Sequence, residues 1–229
     1  MDDLTAKTLF NQVKEIYNQI AADFSQTRSY NWEEMKRIAE LANKWERVLD
    51  LGCGNGRFSE LFDDSVKYFG IDNSENLIAL AQKKYPAKRF EKFDGLKFPF
   101  ADNFFNKVYC VAVFHHIPGK KMRRQFLREI KRVLRRDGKL ILTVWSAGNY
   151  PKAKKYLKQY TIKKLMGLSK MDFGDVLLPW GQNNQSRYIH FFKEKKLVEE
   201  IKQAGFNIKE SGFLKRADKE YNMCVVAEK

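Results

Sequence analysis

The chain has 229 residues, 44% of them hydrophobic, which suits one folded domain with a buried core and excludes a disordered chain. Its formal net charge of +15 indicates a polyanionic partner and favours nucleic acid over an acidic membrane. The apolar runs are strand-sized and the start is polar and acidic, so we expect neither a membrane span nor a secretory signal.

Hydrophobic periodicity predicts two helices at the start of the chain, one from Leu9 to Phe24 and one over Trp32–Asn43. Strands and helices then alternate. The predicted strands are Val48–Leu51, Tyr68–Ile71, Lys107–Phe114 and Lys139–Trp145, and the predicted helices are Arg57–Phe62, Ser74–Lys84 and Lys121–Arg135. An Asp137-Gly138 turn is expected before the last of these strands. This alternation predicts an α/β fold, a parallel sheet with helices on both faces.

The alternation ends after Trp145. Here the sequence predicts a basic helical insertion at Pro151–Leu168, a largely irregular stretch at Asp172–Arg187 and a helix at Lys193–Ala204. A closing hairpin is expected from Ile208–Phe213 and Asn222–Glu228. We find no internal repeat or low-complexity linker, so one domain accounts for the whole chain.

Three cysteines, Cys53, Cys110 and Cys224, are far apart and lack the spacing of metal ligands. They predict reduced thiols, without a disulfide framework or a metal site, and hence a cytoplasmic protein.

The segment Asp50–Gly56 (DLGCGNG) follows a strand and precedes a helix. Glycines at 52, 54 and 56 allow the backbone to approach a ligand closely. The spacing differs from the dinucleotide pattern G-x-G-x-x-G, because the third glycine comes one position early. A carboxylate at Asp50 would repel a pyrophosphate and suits an ammonium group.

Two further carboxylates follow strands. Asp72, with Asn73 next to it, could accept hydrogen bonds from both hydroxyls of a ribose. Asp94-Gly95 comes after a third apolar patch and could receive an adenine amino group. Each feature alone is often a tight connection or a helix cap. Their common order indicates a nucleoside cofactor that carries an amino acid group.

Four segments, Asp50–Gly56, Gly70–Asp72, Asp94-Gly95 and Val133–Leu142, resemble the successive motifs of class I S-adenosylmethionine-dependent methyltransferases. The resemblance implies a Rossmann-like, seven-stranded, mostly parallel sheet with an antiparallel last strand, and S-adenosylmethionine as cofactor. Cofactor contacts are then expected at Tyr17, Arg28, Asp50, Gly52, Gly54, Gly56, Asp72, Asn73, Asp94, Gly95 and Ala112.

On this basis residues 1–229 form a single methyltransferase domain with four parts. We expect an N-terminal helical cofactor lid at 1–45 and a cofactor-binding core at 46–146. A basic substrate-side insertion is expected at 147–192, and a closing helix and hairpin at 193–229.

The flanking segments carry a narrower resemblance, to the tRNA wobble-uridine methyltransferases that esterify 5-carboxymethyluridine. Its motifs are Tyr17–Ala21, Phe24–Arg28, Trp32, Ala112–His116, Asp175–Trp180 and Arg187–Phe191. The chain departs from the family at Ile189, where a second tyrosine is usual, and some members have a longer insertion before Arg187. The resemblance implies the tRNA anticodon arm as substrate and a small zinc-binding activator protein as partner.

A carboxylate acceptor is already ionised at neutral pH, so its methylation requires no general base. It requires alignment for in-line displacement and groups that orient its oxygens. We expect Arg187 and His190 to project such groups from an extended segment. His115 follows a strand at the carboxyl edge of the sheet, where α/β folds bind ligands. A surface ion pair or a packed histidine is the alternative for each.

The positive charge is concentrated between Gly119 and Lys170, which contain 17 basic and two acidic residues. Much of a charged helix face is ordinarily solvated, which is the alternative interpretation. The insertion is expected near the substrate, with RNA contacts at Lys152, Lys154, Lys155, Lys158, Lys163, Lys164 and Tyr188. Two other functions stay open, a methyltransferase for a small metabolite and a non-catalytic RNA-binding protein of this fold.

Overall fold

The computed structural model describes residues 1–28, 30–149, 151–180, 185–215 and 221–229. The helices are α1 (Asp3–Gln19), α2 (Ala21–Thr27), α3 (Glu33–Ala39), α4 (Glu75–Lys84), α5 (Lys120–Val133), α6 (Pro151–Leu165) and α7 (Glu194–Gln203). The strands are β1 (Arg47–Leu51), β2 (Lys67–Asp72), β3 (Arg89–Lys92), β4 (Phe105–Val111), β5 (Leu134–Trp145), β6 (Asp175–Trp180), β7 (Gln185–His190), β8 (Asn207–Lys215) and β9 (Tyr221–Glu228). Short 3₁₀ turns cover Arg57–Leu61, Phe114–His116 and Ala147–Asn149.

Seven strands form one sheet in the order β3-β2-β1-β4-β5-β9-β8. Strands β1 to β5 run parallel, and β9 pairs antiparallel with both β5 and β8. The predicted Rossmann-like sheet with an antiparallel last strand is therefore confirmed. Its order reverses between β1 and β4, and the carboxyl ends of the strands on either side of such a reversal frame a crevice.

Helices cover both faces of the sheet. Leu127 and Ile130 of α5 are fully buried against one face together with α7. The opposite face packs against α3, α4 and the 3₁₀ turn at Arg57–Leu61. Helix α1 instead packs with Met171 and Tyr188, beside β7.

The opening helix is two helices. α1 begins where the Asp2 carboxylate accepts a hydrogen bond from the Thr5 amide at 2.8 Å, an ordinary N-cap. It ends at Ile20, and α2 continues to Thr27. The second predicted helix also ends early, at Ala39.

The prediction of an irregular stretch at Asp172–Arg187 was wrong. Strands β6 and β7 form a separate two-stranded hairpin in which Asp175 pairs with His190. The last four residues of β7 are all buried, so the alternation that marks a half-exposed strand is missing. A proline at Pro179 further obscured β6, because proline is uncommon inside strands.

Two smaller differences concern the sheet. β3 was not identified as a strand, since it has only four residues and lies at the sheet edge. The predicted Asp137-Gly138 turn lies within β5, where the chain is irregular and Asp137 has a φ of 61°. All three cysteines are free and buried. Over the ranges given above, no helix has the length and apolar character needed to cross a membrane.

Candidate active site

A cavity of about 1150 Å³ opens at the carboxyl ends of β1, β2, β4 and β5. Each of these strands contributes its last residues to the wall, and α1 and α2 close one side. The parallel strands bring together side chains that are far apart in the sequence.

The turn after β1 supplies the floor of the cavity. Gly52 and Gly54 have φ values of 79° and 57°, which disfavour other residues. A Cβ on Gly52 would lie 2.3 Å from Val113 Cγ2, so the close packing also requires glycine. Gly56 has a positive φ but does not line the cavity, and a Cβ there would meet Phe90 at 2.7 Å. In the structure Gly56 packs against Phe90, whereas a cofactor contact was predicted for it.

Asp50 is a buried carboxylate on the cavity wall. Only 2% of the residue is exposed, and its Oδ2 accepts a hydrogen bond from the Tyr68 hydroxyl at 2.6 Å. Burial, with Asp72 nearby, raises the pKa of Asp50 to about 7. A buried carboxylate with a raised pKa gains strongly from a cationic ligand group.

Asp72 stands opposite, at the end of β2. Its two oxygens accept hydrogen bonds from the amides of Gly54 at 2.9 Å and Ser74 at 2.8 Å. Burial raises the pKa of Asp72 above its usual value. Each carboxylate oxygen has two acceptor positions, so both can still accept from hydroxyl groups of a ligand. Asn73 follows on the same wall.

Two predicted contacts lie outside the cavity. The Asp94 carboxylate is exposed and pairs with Lys14 Nζ at 2.8 Å. Gly95 adopts a φ of 84°, which turns the chain away after β3. Phe93 lines the cavity in their place. The prediction of an adenine contact through Asp94 and Gly95 is therefore corrected, because this loop turns back toward α1.

The helices at the start of the chain supply an aromatic cover. Tyr17, Phe24, Arg28 and Trp32 all line the cavity. The Arg28 guanidinium lies 5.1 Å from the centre of the Phe24 ring and donates a hydrogen bond to Thr27 Oγ1 at 2.9 Å. This arrangement places two of the predicted cofactor residues, Tyr17 and Arg28, at the cavity from a segment outside the sheet.

Ala112 lines the cavity directly after β4. It has a φ of 57°, and its amide donates a hydrogen bond to Thr143 Oγ1 at 3.0 Å. This strained conformation turns the chain sharply after β4 and exposes the Ala112 backbone to the cavity.

A hydrogen-bonded chain joins α1, β7 and the turn after β4. Arg187 Nη1 donates to the Tyr17 hydroxyl at 2.9 Å, and that hydroxyl lies 2.9 Å from His116 Nε2. His116 Nδ1 lies 2.8 Å from the carbonyl oxygen of Tyr188, which can only accept. Nδ1 therefore carries the proton, and Nε2 accepts from Tyr17. Burial and the Arg187 charge lower the pKa of His116 to about 3, so it is neutral.

Arg187 is a buried cation that lines the cavity. The residue is 2% exposed, and its guanidinium lies 4.9 Å from the centre of the Trp145 ring. The aromatic face and the Tyr17 hydroxyl hold it in one orientation beside the cavity. A fixed guanidinium of this kind suits a carboxylate.

The structure corrects the prediction for the two neighbouring histidines. His116 lines the cavity, while His115 does not. His115 is fully buried, its ring centre lies 5.1 Å from that of Trp145, and burial lowers its pKa. Adjacent residues on a 3₁₀ turn point in different directions, so the sequence alone does not distinguish which of the pair faces the ligand.

His190 and Tyr188 lie behind the cavity wall. Both contact the buried Asp175 carboxylate: His190 Nδ1 at 2.6 Å and the Tyr188 hydroxyl at 2.7 Å. Neither lines the cavity, and Tyr188 is only 1% exposed. The structure buries Tyr188, which was predicted to contact RNA, and His190 lies outside the cavity that Arg187 lines.

The predicted RNA-binding lysines lie on α6, outside the cavity. Lys154, Lys155, Lys158 and Lys163 are exposed and Lys164 is partly exposed. The side chain of Lys152 lies outside the described residues. The helix packs on β6 through Ala153, which leaves the lysines on the solvent side.

Comparison with known proteins agrees with this site. The methyltransferase domain family matches residues 49–142, which contain the glycine turn and both buried carboxylates. A putative methyltransferase of Encephalitozoon cuniculi is 31% identical over 87% of this chain and 89% of its own length. The chain therefore belongs to the S-adenosylmethionine-dependent methyltransferases.

Two other relatives have more specific names. A Schizosaccharomyces pombe protein named tRNA (carboxymethyluridine(34)-5-O)-methyltransferase is 28% identical over 95% of this chain and 96% of its own length. A Xenopus tropicalis protein with the same activity in its name is 35% identical over 69% of this chain. The match spans only 25% of the Xenopus protein.

Solved structures share the fold. A Methanosarcina mazei methyltransferase superposes with a TM-score of 0.71 at 24% identity, over 84% of this chain and 96% of its own. A chain from the complex between a Haloferax volcanii methyltransferase activator and a putative methyltransferase has a TM-score of 0.68 at 16% identity. That match covers 94% of this chain and 96% of the other.

Proposed function

We propose that this methyltransferase esterifies the carboxylate of 5-carboxymethyluridine at the wobble position of tRNA. The observation that carries the proposal is the buried guanidinium of Arg187, which lines the same cavity as Asp50 and Asp72. One cavity thus contains anionic groups for a cationic cofactor and a cationic group for an anionic acceptor.

The residues of the cavity fit S-adenosylmethionine, which supplies an electrophilic methyl group on a sulfonium when bound. Asp50 would hold the ammonium group and Asp72 the ribose hydroxyls. Gly52 and Gly54 leave room for close backbone approach. The segments before β1 would act as the lid, with Tyr17 and Arg28 on its inner side, and exclude water from the reacting atoms.

On the acceptor side, Arg187 would orient the carboxylate for in-line attack. His116 is not suited to be a general base, because its Nε2 already accepts from Tyr17 and burial keeps its pKa near 3. A carboxylate needs no base, since it is ionised at neutral pH. An alcohol or amine acceptor would ordinarily require one.

The RNA assignment depends on the exposed lysines of α6 and on the names of the relatives. Lys154, Lys155 and Lys158 occupy a solvent-facing surface that would contact the phosphates of the anticodon arm. A small zinc-binding activator protein and a cytoplasmic location complete the proposal. Support for the activator comes from the fold that this chain shares with a chain of the Haloferax volcanii complex.

The test is transfer of a tritiated methyl group from S-adenosylmethionine into tRNA that contains 5-carboxymethyluridine, followed by nucleoside identification. We expect label in the methyl ester, released as methanol by mild base. Incubation with the free nucleoside is the matched control. Labelling of small metabolites but not tRNA would contradict the proposal in favour of a small-molecule enzyme. Cofactor binding without any transfer would favour a non-catalytic RNA-binding role.

A further inference from the structure

A second concave site lies on the outer side of α1, against the hairpin of β6 and β7. It is lined by amides of α1 at Asn11, Gln12 and Gln19, and by Gln185 and Ser186 of β7. It shares no residue with the cofactor cavity. We call it the amide groove.

Helix α1 and strand β7 contribute different residues to the amide groove and to the cofactor cavity. On α1, Gln12 faces the groove while Val13 faces the cavity, and on β7 Ser186 faces the groove while Arg187 faces the cavity. The two sites therefore lie on opposite sides of the same helix and strand, and an RNA chain that passes over these elements would contact both. This position suits a neighbour of the acceptor nucleotide.

The lining of the groove selects a particular chemistry. Among its described residues, Glu15 alone carries a charge, and that charge is negative, so the groove does not suit a phosphate. Amide side chains present a donor and an acceptor side by side, which matches the edges of nucleobases. Ile16 and Leu177 add an apolar surface for the face of a planar ring.

Two details fit a ligand at this place. The Gln185 side-chain amide donates to Gln19 Oε1 and so joins the two walls. Gln185 Oε1 has no hydrogen-bond partner among the described residues, although it is buried. An unpaired buried carbonyl is unfavourable and would gain from a nearby donor.

The phosphate-binding charge lies next to the groove. Tyr160 of α6 packs in the same cluster as Leu177, which lines the groove. The lysines of α6 thus lie on the helix next to a hydrogen-bonding groove that has no positive charge among its described residues. Separate surfaces for phosphates and for base edges are usual in recognition of unpaired RNA.

We propose that the amide groove binds an unpaired nucleobase next to the acceptor nucleotide in RNA. This inference rests on the proposed function, because it takes RNA as the substrate. It assigns to α1 and β7 a base contact, in addition to the phosphate contacts proposed for the lysines of α6.

The test combines protein variants with abasic RNA. Gln12→Ala and Gln185→Ala are compared with wild type in methyl transfer to an anticodon stem-loop that carries 5-carboxymethyluridine. Each is also assayed on stem-loops with an abasic site at the nucleotide before or after the acceptor. Gln203→Ala, an exposed glutamine on α7, is the matched control. Affinity for S-adenosylmethionine verifies folding.

We expect each groove variant to lower kcat/KM on the intact stem-loop about tenfold, the size of one base contact. On one of the two abasic RNAs the difference from wild type should shrink to about twofold or less. Equal losses on intact and on both abasic RNAs, or no loss, would overturn the inference while leaving tRNA methylation intact. Failure of wild type to methylate any stem-loop would overturn the proposed function and this inference together.

Discussion

The cofactor side and the acceptor side of the cavity are built in different ways. On the cofactor side, Asp50 and Asp72 lie at the carboxyl ends of β1 and β2 and Gly52 lies in the turn after β1. Backbone amides fix the Asp72 carboxylate. On the acceptor side, Arg187 is held by Tyr17, which is 170 positions away in the sequence. One side is fixed by local turns, and the other depends on the packing of distant segments.

This difference predicts how each side responds to change. Substitution of a side chain that is fixed by its own turn should change cofactor affinity and leave the acceptor side unaffected. A side chain fixed by remote contacts should transmit changes from helix to hairpin. Substitutions on the two sides should therefore separate cofactor affinity from methyl transfer, and four predictions test that separation.

The largest effect is expected on the acceptor side. Arg187→Ala should lower kcat/KM for methyl transfer by about 100-fold or more, because the acceptor loses its orienting cation. Cofactor affinity should change little. Arg187→Lys keeps the charge but loses the planar fork, and should recover only part of the rate. Calorimetry and single-turnover transfer measure the two quantities. An equal loss of cofactor affinity would show that the cofactor side and the acceptor side are not independent.

Asp72→Ala should give the next largest effect, a loss of about 10- to 100-fold in affinity for S-adenosylmethionine. The physical reason is the loss of charged hydrogen bonds to the ribose, together with the support of the Gly54 amide. Asp72→Asn keeps one acceptor and should lose less. At saturating cofactor, tRNA affinity should equal that of wild type. A primary effect on tRNA would contradict the assignment.

The raised pKa of Asp50 predicts that cofactor affinity depends on pH. Its pKa of about 7 means that the ligand-free protein is half protonated there at neutral pH. An ammonium ligand favours the carboxylate, so affinity should rise with pH, by up to about tenfold per unit below pH 7. Proton release should appear in calorimetry in buffers of different ionisation enthalpy. Asp50→Asn should bind weakly at every pH and release no proton.

Tyr68→Phe sharpens this prediction. The Tyr68 hydroxyl donates to Asp50 and stabilises its charged form. Its removal should move the midpoint of the affinity profile to higher pH. The same raised pKa should make the ligand-free protein less stable as pH rises from the unfolded value of 3.8 through about 7. An unchanged midpoint in Tyr68→Phe would contradict the role of this hydrogen bond.

The smallest effect is expected at the lysines of α6. Lys154→Ala with Lys155→Ala should weaken tRNA binding several-fold and reduce the slope of log affinity against log salt by about two. Cofactor affinity should stay the same. Lys195→Ala with Lys202→Ala on α7 removes the same charge elsewhere and is the control. Equal losses in both pairs would indicate a general charge effect instead of a defined RNA surface.

The predicted residues Asp50, Gly52 and Asp72 line one cavity, and their positions depend on local features of the sequence. A carboxylate two positions before a glycine turn, and another at the end of the next strand, are placed by β1 and β2 themselves. The placement of Asp94 outside the cavity has a non-local reason, since Lys14 from α1 pairs with it. No pattern around Asp94 reveals a partner 80 positions earlier.

The acceptor side could be predicted only in part. The resemblance identified Arg187, but the roles of His190 and Tyr188 depend on the direction of alternate side chains in a hairpin that had no strand pattern. The choice between His115 and His116 depends on the direction of a 3₁₀ turn. The amide groove could not be predicted at all, because its two walls come from segments 166 positions apart.

The burial of Cys53, Cys110 and Cys224 has a practical consequence. Burial raises the pKa of each thiol, so the reactive thiolate is scarce and sheltered in the folded protein. An alkylating reagent then modifies mainly molecules that have opened, and its rate reports how often they open. Cys53 lies on the cavity wall, so protection of this thiol by added cofactor would serve as a label-based measure of occupancy.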